Sequence, residues 1–367
     1  MTQHLPRVIF SKIFLLFTVS LLFLSCDKIN SVKAKRDFEE KEKDGPREIL
    51  ERDILMMKDP VLGYVPSERL VAAKRYKDQL MQSQNNLAIS GVSWRQLGPK
   101  NQGGRTRALL VDANDATGNT VWAGSVGGGL WKTTNINATE PAWTAVNDLF
   151  DNLAVTSIAQ DPSNPQVMYF CTGETGYFNA DAIQGFGVWK TTNGGTNWSQ
   201  LASTTGATFN TCTKIIVNNT GVVMVGTSSG GLQRSTNGGT SWTKVLGTGL
   251  GITGAGNNLC YDVDIAANGD VYATLYNSIH KSTNAGATFA AAQTLPISAS
   301  RIEVACAPND ANYVYALIED GNVVNGILRS VNGGGTWTSR TEPADADTGI
   351  PATDFSRSQA WYDLTIA

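Results

Sequence analysis

From Trp94 onwards, apolar and polar positions alternate in short runs broken by Gly, Asn, Ser and Thr, the pattern of half-buried strands joined by tight turns. The runs fall into sets. Residues 105–111, 121–124 and 129–133 make the first set, and 155–161, 167–171, 187–191 and 198–201 the second. The same order recurs at 214–217, 222–227, 231–235 and 242–245, then at 261–265, 271–275 and 279–282, and then at 302–305, 313–318 and 326–330. Residues 361–367 read as the opening strand of one more set. The segment before Trp94 is different: Leu50, Ile54 and Met57 recur at helical spacing up to Pro60, and Ser67-Glu68-Arg69-Leu70 opens a second amphipathic helix running to about Met81.

Each set ends its third strand on one motif. Four copies align without gaps: Thr191-Thr192-Asn193-Gly194-Gly195-Thr196-Asn197-Trp198, Ser235 to Trp242, Ser282 to Phe289 and Ser330 to Trp337, starting 44, 47 and 48 residues apart. A degenerate fifth copy begins at Thr133-Thr134-Asn135 and reaches Trp143 after a three-residue insertion. A hydroxyl, a turn-forming Asn and Gly residues build a hairpin with positive φ angles, which the closing aromatic plugs against the core. The structural positions are therefore Asn193, Gly195, Trp198, Asn237, Gly239, Trp242, Asn284, Gly286, Phe289, Asn332, Gly334 and Trp337.

These residues resemble the Asp-box, or BNR, repeat of sialidases, sortilin-type receptors and xyloglucanase-like glycosidases, with Asn in place of the usual Asp in every copy. The resemblance implies an all-β fold, a β-propeller of four-stranded blades in which the box joins the third and fourth strands. Five blades are expected over residues 93–367, with Trp361-Tyr362-Asp363-Leu364 beginning a sixth. A ring stopped there would leave an open sheet edge, so the chain is expected to be a fragment of a longer protein or a truncated gene product. The box marks a fold shared by enzymes and non-enzymes.

Composition narrows location and partners. Residues 1–26 carry Arg7 and Lys12, an apolar run from Ile13 to Leu24, and Ser25-Cys26. The run is too short to span a bilayer, which needs about 20 apolar residues, and reads as a signal peptide. A small residue before a Cys resembles the bacterial lipoprotein signal, which implies lipidation at Cys26 and a place in the cell envelope, as an outer-membrane lipoprotein of a Gram-negative bacterium. Residues 27–84 hold 25 of the chain's 61 charged side chains, and residues 27–92 read as a charged tether with short helices. The net charge of −3 gives no basic surface for nucleic acid. Cys212, Cys260 and Cys306 stand 23, 22 and 24 residues before a box, at equivalent places in successive repeats, so these and Cys171 are expected to be free buried thiols rather than bridged pairs.

Candidate chemistry is sparse. After residue 26 the only histidine is His280, beside Lys281 on a predicted third strand, and no zinc-ligand spacing, phosphate loop or nucleophile elbow is present. A glycosidase needs two carboxylates about 5–10 Å apart. Asp112, Glu174, Asp181, Asp262, Asp264 and Asp363 lie on loops or strand ends, with Glu174 and Asp112 the catalytic candidates. Glu174 precedes an insert holding Tyr177, Phe178 and Asn179, which reads as a rim pocket for sugar or peptide; Glu174 equally suits a role fixing its own loop. Arg105 and Arg107, two residues apart, point to one face of a strand and read as channel-lining or ion-paired groups, or as an anion site. Asp345 and Asp347, with Asp354 nearby, have the carboxylate density of a weak calcium site.

The resemblance to enzymes is incomplete. Xyloglucanase-like enzymes carry a catalytic Asp two residues before a first-blade Gly-Gly, and here Val126 precedes Gly128-Gly129. Sialidases need three arginines, a Tyr nucleophile with its Glu, and a Phe/Tyr-Arg-Ile-Pro segment that is not found around Arg105 and Arg107. The expected function is a non-catalytic envelope lipoprotein that binds protein or polysaccharide and needs no cofactor. The alternatives are a glycoside hydrolase, xyloglucanase-like or sialidase-like, whose remaining blades and second carboxylate are expected beyond Ala367, and an envelope assembly or secretion factor.

Overall fold

The computed structural model describes residues 46–64, 66, 69–83, 104–148, 150–174, 182–343 and 354–367. Two units are separate, Met1–Gln96 and Leu97–Ala367. In the first, α1 (Pro46–Met57) and α2 (Leu70–Ser83) form where the helical spacing places them, and Asp59 caps the turn between them by accepting from the Val61 and Leu62 N–H groups. No helix among the described residues is long and apolar enough to cross a membrane.

The second unit is a series of antiparallel sheets in strict chain order. Blade 1 is β1 (Thr106–Val111), β2 (Val121–Ser125), β3 (Gly129–Thr133) and β4 (Thr144–Ala145). Blade 2 is β5 (Val155–Gln160), β6 (Met168–Thr172), β7 (Val188–Thr191) and β8 (Ser199–Gln200). Blade 3 is β9 (Cys212–Val217), β10 (Val223–Thr227), β11 (Gly231–Ser235) and β12 (Thr243–Leu246). Blade 4 is β13 (Cys260–Ile265), β14 (Val271–Leu275) and β15 (Ser278–Ser282), and blade 5 is β16 (Arg301–Cys306), β17 (Val314–Asp320), β18 (Val323–Ser330) and β19 (Thr338–Arg340).

The first strands pack in series, β1 on β5, β5 on β9, β9 on β13 and β13 on β16, so they converge on the channel of a propeller. One hydrophobic cluster fills each seam between successive blades, for example Trp122, Leu130, Phe170 and Trp189 between blades 1 and 2. A last cluster, Leu317, Val324, Ala360 and Leu364, joins blade 5 to the segment 354–367.

An innermost strand has no lateral partner, and its backbone groups need acceptors and donors from elsewhere. The preceding blade supplies them. Ser157 accepts from the Ile215 N–H at 3.1 Å, Asp262 from Val304 at 3.0 Å and Asp264 from Cys306 at 2.7 Å, while the hydroxyls of Thr156 and Thr213 donate to the carbonyls of Cys212 and Cys260.

The box geometry repeats in all four regular copies. In blade 2 the Thr191 hydroxyl takes the Gly195 N–H at 3.1 Å, and the Asn193 side-chain oxygen takes the Asn197 N–H at 3.0 Å. Ser235 with Asn237, Ser282 with Asn284 and Ser330 with Asn332 do the same. In blade 1 Asn135 accepts from Ala142 instead, across the insertion. The closing aromatics lie in the seams: Trp198 meets Trp122 edge-on, Trp242 donates to Ser203 and Trp337 to Gln293, each in the preceding blade.

Three expectations are corrected. Blade 4 has three ladder strands, because after Phe289 only the Ala290 and Gln293 N–H groups reach the β15 carbonyls of Lys281 and Ile279. Residues 361–367 are not a strand; the carbonyls of Ala360, Trp361, Tyr362 and Leu364 accept from the Arg301 guanidinium rather than from a neighbouring strand. Cys212 and Cys260 open their strands, whereas Cys306 closes β16, since the longer β17–β18 hairpin shifts the spacing to its box. The four thiols are free, and Cys306 is only partly buried.

Candidate functional site

The antiparallel order brings the starts of the innermost strands and the β2–β3-type hairpins of every blade to one end of the channel, here called the near rim. Arg105 stands just before β1 and Glu174 just after β6, so both reach this rim from adjacent blades. Glu174 is buried. One carboxylate oxygen accepts from the Arg105 guanidinium and, at 2.6 Å, from the Tyr362 hydroxyl; the other accepts from the Ile183 N–H at 3.3 Å. Arg105 also donates to the Tyr362 hydroxyl at 3.0 Å, and the Arg107 guanidinium lies 5.1 Å from the centre of the Tyr362 ring. Burial and the Glu174 carboxylate raise the Tyr362 phenol above its ordinary value, with Arg107 pulling the other way. Arg105, Arg107 and Glu174, read separately in the sequence, thus come together around Tyr362. Tyr177, Phe178, Asn179 and Asp181 lie outside the described residues.

Asp112 is at the opposite end of β1. Seven residues separate it from Arg105, or about 23 Å of strand, far beyond the spacing of a catalytic carboxylate pair. Its carboxylate accepts from the Asn114 backbone and side chain, the Gln160 amide and the Trp122 indole N–H at 2.9 Å. Asp161 and Asn218 hold the same turn in blades 2 and 3, accepting from the Ser163 and Thr220 N–H groups, so Asp112 occupies a repeat-wide turn position. Val126 is buried, and Asp363 is exposed. Asp354 accepts from Ser356, Ser358 and Val324 N–H groups. Asp345 and Asp347 lie outside the described residues, among which no group of three His, Cys, Asp or Glu side chains could hold a metal. His280 is buried, bonded to the Ala290 carbonyl and the Ser278 hydroxyl.

The channel carries a charge network that the sequence analysis did not assemble. Lys214 pairs with Asp262 at 3.1 Å, and Arg301 with Glu303 at 2.7 Å. Lys214, Asp262 and Glu303 each stand four residues before the end-of-strand turn of their blade, a register visible in the sequence once the turns are aligned. Asp262 raises the Lys214 ammonium, and burial raises the Asp264 carboxyl. Burial pushes Glu303 up to about 7, Asp262 adds to that, and Arg301 and Lys214 oppose it. Against an unfolded value of 4.5, neutral Glu303 contributes stability that is complete below pH 4.5 and is lost as pH rises through about 7. Glu303→Gln is expected to remove this loss; unfolding midpoints measured at pH 5 and pH 8 for both chains check it.

Beside Arg301 the near rim opens into a pocket of about 380 Å³ lined by Tyr261, Tyr276, Ser300, Arg301, Glu319, Gly321, Asn322 and Trp361. Tyr276 is 42% exposed, and Trp361 is next to Tyr362, with ring centres 5.5 Å apart, so the pocket and the Glu174 cluster share one segment. Aromatic faces with a few convergent polar groups suit a sugar ring or a peptide side chain. The pocket is lined by residues of blades 4 and 5 and by Trp361.

No protein-family model matches this sequence, and no curated protein does. Among solved structures the chain is similar to an ancestral GH74 enzyme, with TM-score 0.50 and 20% identity over 67% of this chain and 34% of that one. It is also similar to the GH74 xyloglucanase from Xanthomonas campestris, with TM-score 0.49 and 20% identity over 67% of this chain and 39% of that one. A third is YCF48 bound to D1 peptide, with TM-score 0.45 and 16% identity over 67% of this chain and 69% of that one. The chain thus spans little more than a third of either GH74 structure. Sheet order and structural likeness agree on the fold: the Leu97–Ala367 unit is a β-propeller.

Proposed function

We propose that this chain is a non-catalytic envelope protein, anchored through lipidated Cys26 and displaying a propeller of Asp-box type whose near rim binds a polysaccharide or protein ligand. The pocket formed by Tyr261, Tyr276 and Trp361 with Arg301, Glu319 and Asn322 is the observation that carries this reading, and its aromatic faces favour a sugar chain. The catalytic candidates support it by their engagement. The Glu174 carboxylate is taken up by Arg105, Tyr362 and Ile183, and Asp112 by its turn.

A hydrolase reading keeps one specific support. Tyr362 held on Glu174 beside Arg105 and Arg107 places a phenol, a carboxylate and two guanidinium groups together, part of the set that the resemblance to sialidases calls for, which includes a third arginine. The raised phenol pKa disfavours a tyrosinate nucleophile at neutral pH.

The exported protein, assayed on a panel of β-glucans, sialosides and immobilised peptides, is expected to retain ligand without cleaving it. Tyr276→Ala is expected to weaken retention about tenfold, the loss that about 1.4 kcal/mol of stacking gives, with an unchanged unfolding midpoint. Retention indifferent to Tyr276→Ala overturns the pocket assignment. Sialoside hydrolysis abolished by Tyr362→Phe establishes the hydrolase reading instead.

A further inference from the structure

Each blade carries a cation immediately before the box hydroxyl, directly across the ladder from a large side chain on the second strand: Trp122 with Lys132, Tyr169 with Lys190, Met224 with Arg234, Tyr272 with Lys281 and Tyr315 with Arg329. In blades 2 to 4 the next blade's box closes over this pair. Lys190 donates to the Gly238 carbonyl at 3.0 Å, Arg234 Nε to the Ala285 carbonyl at 2.9 Å and Lys281 to the Gly333 carbonyl at 3.0 Å. Over blades 3 and 4 the second box glycine then rests on the large side chain, so closely that a Cβ would stand 2.3 Å from the Met224 sulfur at Gly286 and 3.0 Å from the Tyr272 ring at Gly334; over blade 2 the first box glycine, Gly238, faces the Tyr169 hydroxyl and Gly239 meets Leu201. Tyr169, Met224 and Tyr272 are accordingly buried.

Among the described residues no box closes over the same pair in blade 5, and Tyr315 is only half-buried. Among the described residues three buried polar side-chain atoms lack a hydrogen-bond partner, Trp189 Nε1, the Tyr272 hydroxyl and Arg329 Nε, and only the last belongs to a charged group. Arg329 Nε is the atom whose counterpart in Arg234 meets a box carbonyl. Segment 354–367 covers Leu317 and Val324, toward the near rim, whereas Tyr315 and Arg329 lie toward the opposite end of the same hairpin.

We propose that the Tyr315–Arg329 pair is a docking site for the Asn-Gly-Gly hairpin of a further Asp-box blade, which presents a box carbonyl to Arg329 Nε and sets its second glycine on Tyr315. The inference rests on the interface already repeated between blades and not on the proposed ligand. The boxes of blades 2 to 5 already meet their own predecessors, and the blade 1 turn of a second copy lacks the Gly-Gly corner, so the occupant is a blade outside these five.

The test uses the full chain and a cyclised hairpin peptide of residues 231–246. The peptide is expected to raise the unfolding midpoint of the chain by a few degrees and to shift the Arg329 Nε–H resonance, with both effects lost in Arg329→Met. Without peptide, Arg329→Met is expected to leave the midpoint within about 1 °C, whereas Arg234→Met lowers it by about 3–6 °C. No response at millimolar peptide overturns the proposal, as does an Arg329→Met loss equal to that of Arg234→Met, which would mean the latch is already closed. A concentration-dependent dimer that disappears in Arg329→Met also overturns it, by assigning the site to a second copy.

Discussion

Arg301→Met is expected to lower the unfolding midpoint by about 10 °C and to release segment 354–367 to proteolysis while the blades remain folded. The guanidinium is buried at the start of β16 and donates to the carbonyls of Ala360, Trp361, Tyr362 and Leu364, besides pairing with Glu303. This one side chain does for the irregular segment what a neighbouring strand does elsewhere. Its loss strands four carbonyls and removes the cation facing Glu303, a change of the kind that costs about 3–5 kcal/mol, and each kcal/mol moves the midpoint of a domain this size by about 2–4 °C. Glu303, deprived of Arg301, then titrates at still higher pH. Limited proteolysis read by mass spectrometry, together with a thermal melt, checks both parts; a segment as protected as in the wild-type chain contradicts the assignment.

Gly195→Ala is expected to destabilise the propeller by about 2–4 kcal/mol, the sum of an alanine held at positive φ and of overpacking in a closed seam. Gly195 has φ of +83°, and a Cβ there would stand 2.2 Å from the Trp122 ring of the preceding blade. Trp122 cannot retreat, since its indole N–H is bonded to Asp112 and Trp198 meets it edge-on. Gly206→Ala is the control, because nothing lies within 4 Å of a Cβ there and its φ is −84°. Chemical denaturation of the two variants measures the difference. A Gly195→Ala loss no larger than that of Gly206→Ala would show that the box does not seat on the neighbouring blade.

The propeller was legible because its box is local. Hydroxyl, Asn, two glycines and an aromatic lie within eight residues, and their bonds form inside that span. The cations of the latch were equally visible, since Lys132, Lys190, Arg234, Lys281 and Arg329 each precede the box hydroxyl. They pass for ordinary exposed charges on a strand until the facing blade shows what they hold. Aligning Asp112 with Asp161 and Asn218 identifies a turn residue from sequence alone, a role that its candidacy as a catalytic acid passed over. Tyr362 is another matter. Its partner Glu174 is 188 residues away in another blade, and nothing in either segment encodes the contact. The pocket beside Arg301 was missed for the same reason, because Tyr276, Asn322 and Trp361 converge from two hairpins and an irregular segment.

The near rim is the centre of the functional account, and hydrogen exchange on the chain with its captured ligand tests it most directly. The account predicts slowed exchange around Tyr276, in the hairpin at 319–322 and at 360–362, with the turns at Asp112, Asp161 and Asn218 on the opposite end unchanged. Protection confined to those far-end turns, with the Tyr276 and Trp361 segments exchanging as in the free protein, would contradict it.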